Sequence, residues 1–487
     1  MNLLTDTWIP VQREGLFQHI SLKTLLTQDE CWQISLPRDD MEMACLQLLV
    51  SLTQVLFIPE DKTQLKKHIA QPLSESDYSD AIEGKLDWFE LDHPQQPFMQ
   101  VRGVKAKELT DMAKLFAGLT GATSSAFVNE PALASQLCTT CAAIALFNQA
   151  SNCPSFGGGF KASLRGGSPI TTLILGSNLR QTLWCNVLCK EMLSISMPWY
   201  EASQNEKPNW VDVVKPKQSI EAHQTGLLRG LFWQPAHIEL VKEEGEGCCD
   251  CCGQQDQRYT GFKKEKFVYN FNGIWPHPHG PRAFKLSKGE REEKFSSFTT
   301  TAPSWTLLTQ FLIQKEGDKQ GHTPAPVVSQ AKRMNVVNGR LYLMVGGYRN
   351  KQASILERRH ELFNVAKEWQ NSDRQIEWIV DTGLAYKREL RKKLYGFFKA
   401  TGASLQDQAE HRFYKQTELF VHGMLRDMDF KESKVAFSEY HHQLGKTTRA
   451  IFKQITEPYQ NEPKMIKALA IARRGLDKSL NQLKEKP

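Results

Sequence analysis

The chain has 487 residues, 40% hydrophobic and 24% charged, with 61 Lys and Arg against 54 Asp and Glu. This composition excludes a disordered or fibrous chain, and the length exceeds what a single core supports, so at least two domains are expected. No apolar run approaches the roughly 20 residues of a spanning helix, and the start at Met1–Asp6 lacks the basic-then-apolar pattern of a signal peptide, so a cytoplasmic location without membrane contact is expected.

Residues 7–22, with Trp8, Ile9, Val11, Phe17 and Ile20, read as short strands. Asp39 and Asp40 are placed as the N-cap of an apolar-periodic helix reaching about Leu56. Residues 71–100 carry Pro72, Pro94 and Pro97 and read as loops around short elements. Residues 103–150 read as helical pieces, 151–170 as loop and 200–225 as a polar linker. From Gly226 to Tyr348 apolar and polar residues alternate between turn signals, so strands dominate.

Beyond Gln352 the texture changes. Apolar residues recur at helical spacing over about 374–399, 404–428, 432–456 and 462–484. Long helices with short connections predict an antiparallel four-helix bundle. The expected fold class is therefore α+β. A large mixed N-terminal domain, 1–360, holds a structural zinc site, and a C-terminal four-helix bundle covers 361–487. Residues 361–487 carry 23 Lys and Arg against 17 Asp and Glu, a mild bias that suits an acidic partner.

The strongest chemical signal is Cys138-Thr-Thr-Cys141 together with Cys249-Asp-Cys-Cys252. Two C-x-x-C pairs supply four thiolates, the complement of a closed tetrahedral Zn2+ site, which is structural because no position stays open. Cys248 and Cys251 form an alternative second pair. Cys31, Cys45, Cys153, Cys185 and Cys189 lack such spacing and are expected in the core.

A second signal is Phe156-Gly-Gly-Gly-Phe-Lys161 with Arg165 nearby, where backbone amides approach a ligand closely and Lys161 and Arg165 suit a phosphate. The spacing is not that of a Walker A loop. A third is Phe262-Lys-Lys-Glu-Lys-Phe267, which as a strand would set Phe262, Lys264 and Lys266 on one face. In a fourth, Gly346-Gly347 is read as a hairpin tip presenting Arg349, Asn350, Lys351 and Gln352 outward. His277 and His279 sit in a Pro-bounded turn, and His441-His442 is assigned to a solvated helix surface. No nucleophile elbow, zincin or phosphoryl-transfer motif is present, and no enzymatic activity is expected.

Ser35–Met41, Pro97–Gln100, Gly103–Ala106, Ala126–Asn129, Ala145–Gln149, Arg229–His237 and Gly346–Arg359 closely resemble the large-subunit family of type I-E CRISPR Cascade complexes. The resemblance runs over essentially the whole chain. It implies a non-catalytic subunit of an RNA-guided antiviral surveillance complex. Such a subunit recognises the protospacer-adjacent motif (PAM) of double-stranded DNA from the minor groove, wedges the duplex to start the R-loop, and helps recruit a separate helicase-nuclease.

By the same resemblance, the DNA contacts fall on Gly157, Gly158 and Gly159, on the lysine finger Lys266, and on a wedge of Arg349, Asn350, Lys351, Gln352, Ala353 and Ser354. Lys288 matches a basic position for the displaced strand. Phe127, Val128 and Asn129 match the loop that docks on the guide-RNA handle and a neighbouring subunit. The zinc ligands map onto Cys138, Cys141, Cys249 and Cys252. Three positions depart from the family: Ser155 replaces a glycine, Ser287 a basic residue, and Lys351 an asparagine. Two other readings stay open: a zinc-stapled nucleic-acid-processing enzyme, and a scaffold that does not read DNA.

Overall fold

The computed structural model describes residues 1–119, 134–203, 206–337, 339–399 and 405–484. The chain divides into two compact units. The first comprises Met1–Thr299, Gln314–Val336 and Leu343–Leu362; the second comprises Thr300–Ile313, Val337–Tyr342 and Phe363–Pro487. The helical unit thus draws in two segments from before residue 360.

The first unit mixes helices with small sheets. Strands Ile9–Arg13 and Leu16–Ile20 form a hairpin through Glu14-Gly15, both at positive φ, as a two-residue turn matching strand twist requires. The central helix, Asp39–Leu56, is buried almost throughout. Its N-cap is Arg38 rather than Asp39 or Asp40. Asp39, Asp40 and Glu42 fill the first turn instead, where carboxylates complement the helix dipole. A second helix, Thr139–Ser151, is buried at every position.

Two long hairpins complete the frame. In the cysteine hairpin, His237–Cys248 pairs antiparallel with Gln255–Glu265. In the second, Leu341–Lys351 is followed by Ser354–Val365, and the first of these strands also pairs with Thr171–Ile174. Gly346 and Gly347 lie inside that first strand, not at its tip. A Cβ at Gly346 would collide with Met43 Sδ on the central helix, and one at Gly347 would stand 2.8 Å from the Pro169 carbonyl. The glycines are there for close packing.

In the second unit four helices span Asp373–Lys399, Gln406–Asp427, Lys434–Thr456 and Pro463–Lys484, close to the periodic stretches. The first packs on each of the other three. Leu394, Phe413, Val421, Leu444, Ile451 and Leu480 are buried between them. Trp305, from the segment before residue 360, is fully buried with its ring 6.0 Å from that of Tyr414. His441 is not on the surface. It is buried and lies 3.0 Å from the Tyr386 hydroxyl, whereas His442 is exposed. Among the described residues no helix is long and apolar enough to cross a membrane.

Candidate nucleic-acid interface and metal centre

The buried helix Thr139–Ser151 runs out into the glycine loop. Gly157, Gly158 and Gly159 all adopt positive φ, at 76°, 56° and 88°. Three successive residues of this kind need glycine, and without side chains they let a ligand approach the backbone closely. Ser155 Oγ accepts the Gly157 N–H at 3.4 Å, which turns the chain into the loop. Gly158 and Gly159 are exposed, and a Cβ on Gly158 would meet no atom within 4 Å.

Lys266 reaches this loop from the cysteine hairpin. The strand stops at Glu265, so Lys266 lies just beyond it, exposed, with Nζ donating to the Gly158 carbonyl at 3.2 Å. Lys264 is half-buried. Its Nζ donates to Thr110 Oγ1 at 2.6 Å and lies 5.5 Å and 5.7 Å from the ring centroids of Phe156 and Phe262. Burial and the nearby Lys114 lower its pKa. The tip of the second hairpin also reaches the loop: a Cβ on Gly157 would stand 3.6 Å from that of Ala353.

At that tip Lys351 and Gln352 are exposed. Gln352 holds φ at 55°, which side-chain-bearing residues adopt infrequently. Arg349 does not project outward as expected. Its Nε donates to Glu357 at 2.7 Å, and Arg359 binds the same carboxylate at 2.9 Å. Burial raises the Glu357 pKa, but the two guanidinium groups outweigh it and hold the carboxyl below its ordinary value. Asn350 Nδ2 donates to the Gln352 carbonyl, tying the turn to itself.

A buried network anchors this hairpin. Asn148 Nδ2 donates to Tyr348 Oη, and Tyr348 Oη donates to Asp40 Oδ2, each at 2.9 Å. Arg38 grips Asp40 through Nε and Nη2 at 2.9 Å and 2.7 Å. The first turn of the central helix, the buried helix and the second hairpin are thereby pinned together. Sequence reasoning gave Asp40 a role only as a cap and gave Tyr348 and Asn148 none, although Asp40 and Asn148 lie in the family-like stretches Ser35–Met41 and Ala145–Gln149. Tyr348 likewise lies within the family-like stretch Gly346–Arg359, and membership of these stretches is the signal that links the three residues.

The cysteines meet at the far ends of the same elements. The Sγ atoms of Cys138, Cys141, Cys249 and Cys252 all lie within 4.8 Å of one another. A tetrahedral thiolate site with Zn–S near 2.3 Å has edges of about 3.8 Å, and Cys138 and Cys252 are 3.6 Å apart. Cys138 caps the buried helix, its sulfur accepting the Cys141 N–H. Cys249 begins a turn closed by Gly253 N–H to the Cys249 carbonyl, with Gly253 at positive φ. Asp250 Oδ2 accepts the N–H groups of Ser135 and Gln136 at 2.7 Å and 2.9 Å, clamping the two halves together. Hydrogen bonds from Cys138 and Cys141 draw the Cys249 thiol far below its ordinary range. Cys248 is exposed and outside the cluster, and Cys251 flanks it. The donor set therefore fits a structural Zn2+ through Cys249 and Cys252.

Other candidates fall elsewhere. Arg165 is no phosphate ligand: it is buried and bonded to Asn152, Ser151 and Thr171, with burial pushing its pKa down to about 9. Lys161 is exposed, 5.8 Å from the Tyr269 ring centroid. Lys288, at φ 53°, forms with Gly289 the exposed turn between strands Arg282–Ser287 and Glu290–Phe295. Cys31 is exposed rather than in the core; Cys45, Cys153, Cys185 and Cys189 are buried. His277 and His279 are core residues kept neutral by burial. Phe127, Val128 and Asn129 lie outside the described residues.

A family model described as CRISPR-associated protein Cse1 matches residues 2–451. Thermobifida fusca Cse1 is similar in fold, with TM-score 0.77 at 17% identity over 100% of this chain and 99% of that one. Thermus thermophilus CasA (Cse1) gives 0.70 at 17% identity over 98% and 99%. A chain of a CRISPR RNA-guided surveillance complex gives 0.68 at 14% identity over 98% and 99%. At such identities the likeness shows the fold.

Proposed function

The chain belongs to the CRISPR-associated Cse1 family, the large subunits of type I-E Cascade, and from that premise we propose that it is the non-catalytic subunit that reads the PAM of double-stranded DNA within the guide-loaded complex. Its partners are the other Cascade subunits, the guide RNA, the target duplex and a helicase-nuclease that arrives after R-loop formation. One observation carries the DNA-reading part. The glycine loop, Lys266 and the Gln352 tip come from three distant parts of the sequence, yet Lys266 bonds Gly158 and Ala353 lies against Gly157.

This arrangement suits a minor groove. The Gly158 and Gly159 amides and Lys266 face the groove edge and its phosphates, while Gln352 is held where it can enter a base step. Unstacking one step costs a few kcal/mol, offset by contacts that the opened duplex permits. Minor-groove readout is degenerate, separating mainly A·T from G·C, so several motifs are accepted. Lys351 in place of asparagine adds a phosphate contact beside the wedge. Lys288, on its own hairpin, acts on the displaced strand. Phe127, Val128 and Asn129 dock the guide-RNA handle. A structural Zn2+ on Cys138, Cys141, Cys249 and Cys252 supplies cross-linking only; these residues hold the buried helix against the cysteine hairpin.

The test is a gel-shift titration of the guide-loaded complex with and without this chain, on duplex targets with a permissive or scrambled flanking motif at fixed salt. Loss of binding together with loss of motif preference supports the reading. A preference that survives without the chain makes it a scaffold.

A further inference from the structure

Behind the glycine loop lies positive charge that the three reading elements do not use. Lys114 lines a narrow crevice shared with Ser155 and Phe156 of the loop and with Ala353 and Ile355 of the hairpin. Lys264 stands beside it, steered by Thr110 Oγ1 and by the faces of Phe156 and Phe262. Phe156 is the residue immediately before Gly157, so this lysine is packed directly under the loop. Both lysines stand at Phe156, Lys114 beside it in the wall of the crevice and Lys264 with Nζ 5.5 Å from its ring centroid, so both bring positive charge to the underside of the loop. The charge of Lys114 disfavours protonation of Lys264 and that of Asp111 favours it. Among the described residues neither lysine forms an ion pair. Two positive charges on an aromatic floor, neither of them in an ion pair, are an arrangement that an anion would relieve.

We propose that Lys114 and Lys264 form a second anion seat, at the mouth of the crevice between the glycine loop and the wedge hairpin, that takes one backbone phosphate of the target duplex. This rests on the DNA-reading function above and adds a contact that it does not contain. The seat is sequence-blind, since phosphates carry no base information. It holds the duplex against the loop and adds the same affinity whatever the flanking motif.

The test uses the guide-loaded complex carrying Lys114→Gln, Lys264→Gln, the double variant or Lys264→Arg, titrated on permissive and scrambled duplexes over a range of salt. One lost phosphate contact lowers the slope of log K against log salt by about 0.9. The deficit of the double variant should therefore shrink about 3.5-fold between about 50 and 200 mM salt. The ratio of permissive to scrambled binding should hold, and Lys264→Arg should restore both affinity and slope. An unchanged slope in the double variant overturns the seat. If Gln352→Ala still abolishes motif preference in that case, the reading function survives without it; if Gln352→Ala also does nothing, that function falls as well. Failure of the double variant to enter the guide-loaded complex, with duplex binding by the assembled fraction unchanged, also overturns the proposal and assigns the lysines to guide RNA.

Discussion

Gly158 and Gln352 separate the cost of folding from the cost of binding at the level of single residues. A methyl at Gly158 meets no protein atom within 4 Å, but the residue sits at φ 56°. Gly158→Ala should therefore cost stability only the backbone strain, about 1 kcal/mol. The same methyl stands on the exposed face proposed to meet DNA, so on that reading affinity for a permissive duplex should fall by more than stability does. Gln352→Ala removes an exposed side chain from a position where alanine is no more strained than glutamine. Its effect on the thermal midpoint should be within about 1 °C. Motif-dependent binding should fall by about 1–3 kcal/mol, the usual scale for one base-step contact. Parallel thermal melts and gel shifts of the two variants check both. Equal binding of permissive and scrambled duplexes by wild type would remove the premise.

At the scale of elements, the four-cysteine cluster and the proposed DNA-facing surface are opposite ends of the same two pieces. The buried helix starts at Cys138 and leads into the glycine loop about 20 Å away, and the cysteine hairpin carries Cys249 just past one strand and Lys266 just past the other. Removing Zn2+ should thus loosen Lys266 and Gly158 together without touching either. Cys249→Ser should lower zinc content, measured by elemental analysis, and destabilise the chain by at least about 3 kcal/mol. Cys248→Ser should retain one zinc per chain, because its sulfur lies outside the cluster. Equal loss of metal in both variants would contradict the assigned ligand set.

These elements were legible in the sequence to different degrees. Helical spacing marked the four long helices to within two residues, and C-x-x-C spacing marked the cysteines that meet. Neither could show that Gly346 and Gly347 serve packing against Met43, or that Arg165 is spent on Asn152. Both depend on partners more than ten residues away in the chain or on another element. Local pattern also favours the surface for a charged or histidine side chain, which is why His441 and Arg349 were misplaced.

For the whole molecule, the question is what each compact unit needs in order to be stable. In the first unit, His277 and His279 are buried as neutral rings, and burial with the nearby Arg165 pushes the His279 pKa down to about 3. The unfolded chain binds protons at that histidine from about pH 6.5 downward, while the folded chain does not until about pH 3. Stability is therefore complete above pH 6.5 and declines as pH falls through that window. At pH 4.5 His279 alone should account for about 2–3 kcal/mol. Urea midpoints at pH 7.5 and 4.5 should show a smaller loss for His279→Gln than for wild type, a comparison in which metal release cancels. The second unit needs residues from before position 360. Trp305, Leu308 and Phe311 are fully buried, and Gly383 faces the Trp305 ring at 3.1 Å from its Cβ position. A fragment of residues 361–487 would lack these side chains and open a cavity along the first and second long helices. Deleting one buried Trp or Phe side chain costs about 3–5 kcal/mol, so this fragment should unfold at lower urea than one of residues 300–487. Equal midpoints would mean that the four helices are self-sufficient and that Trp305 is a passenger on a bundle complete without it.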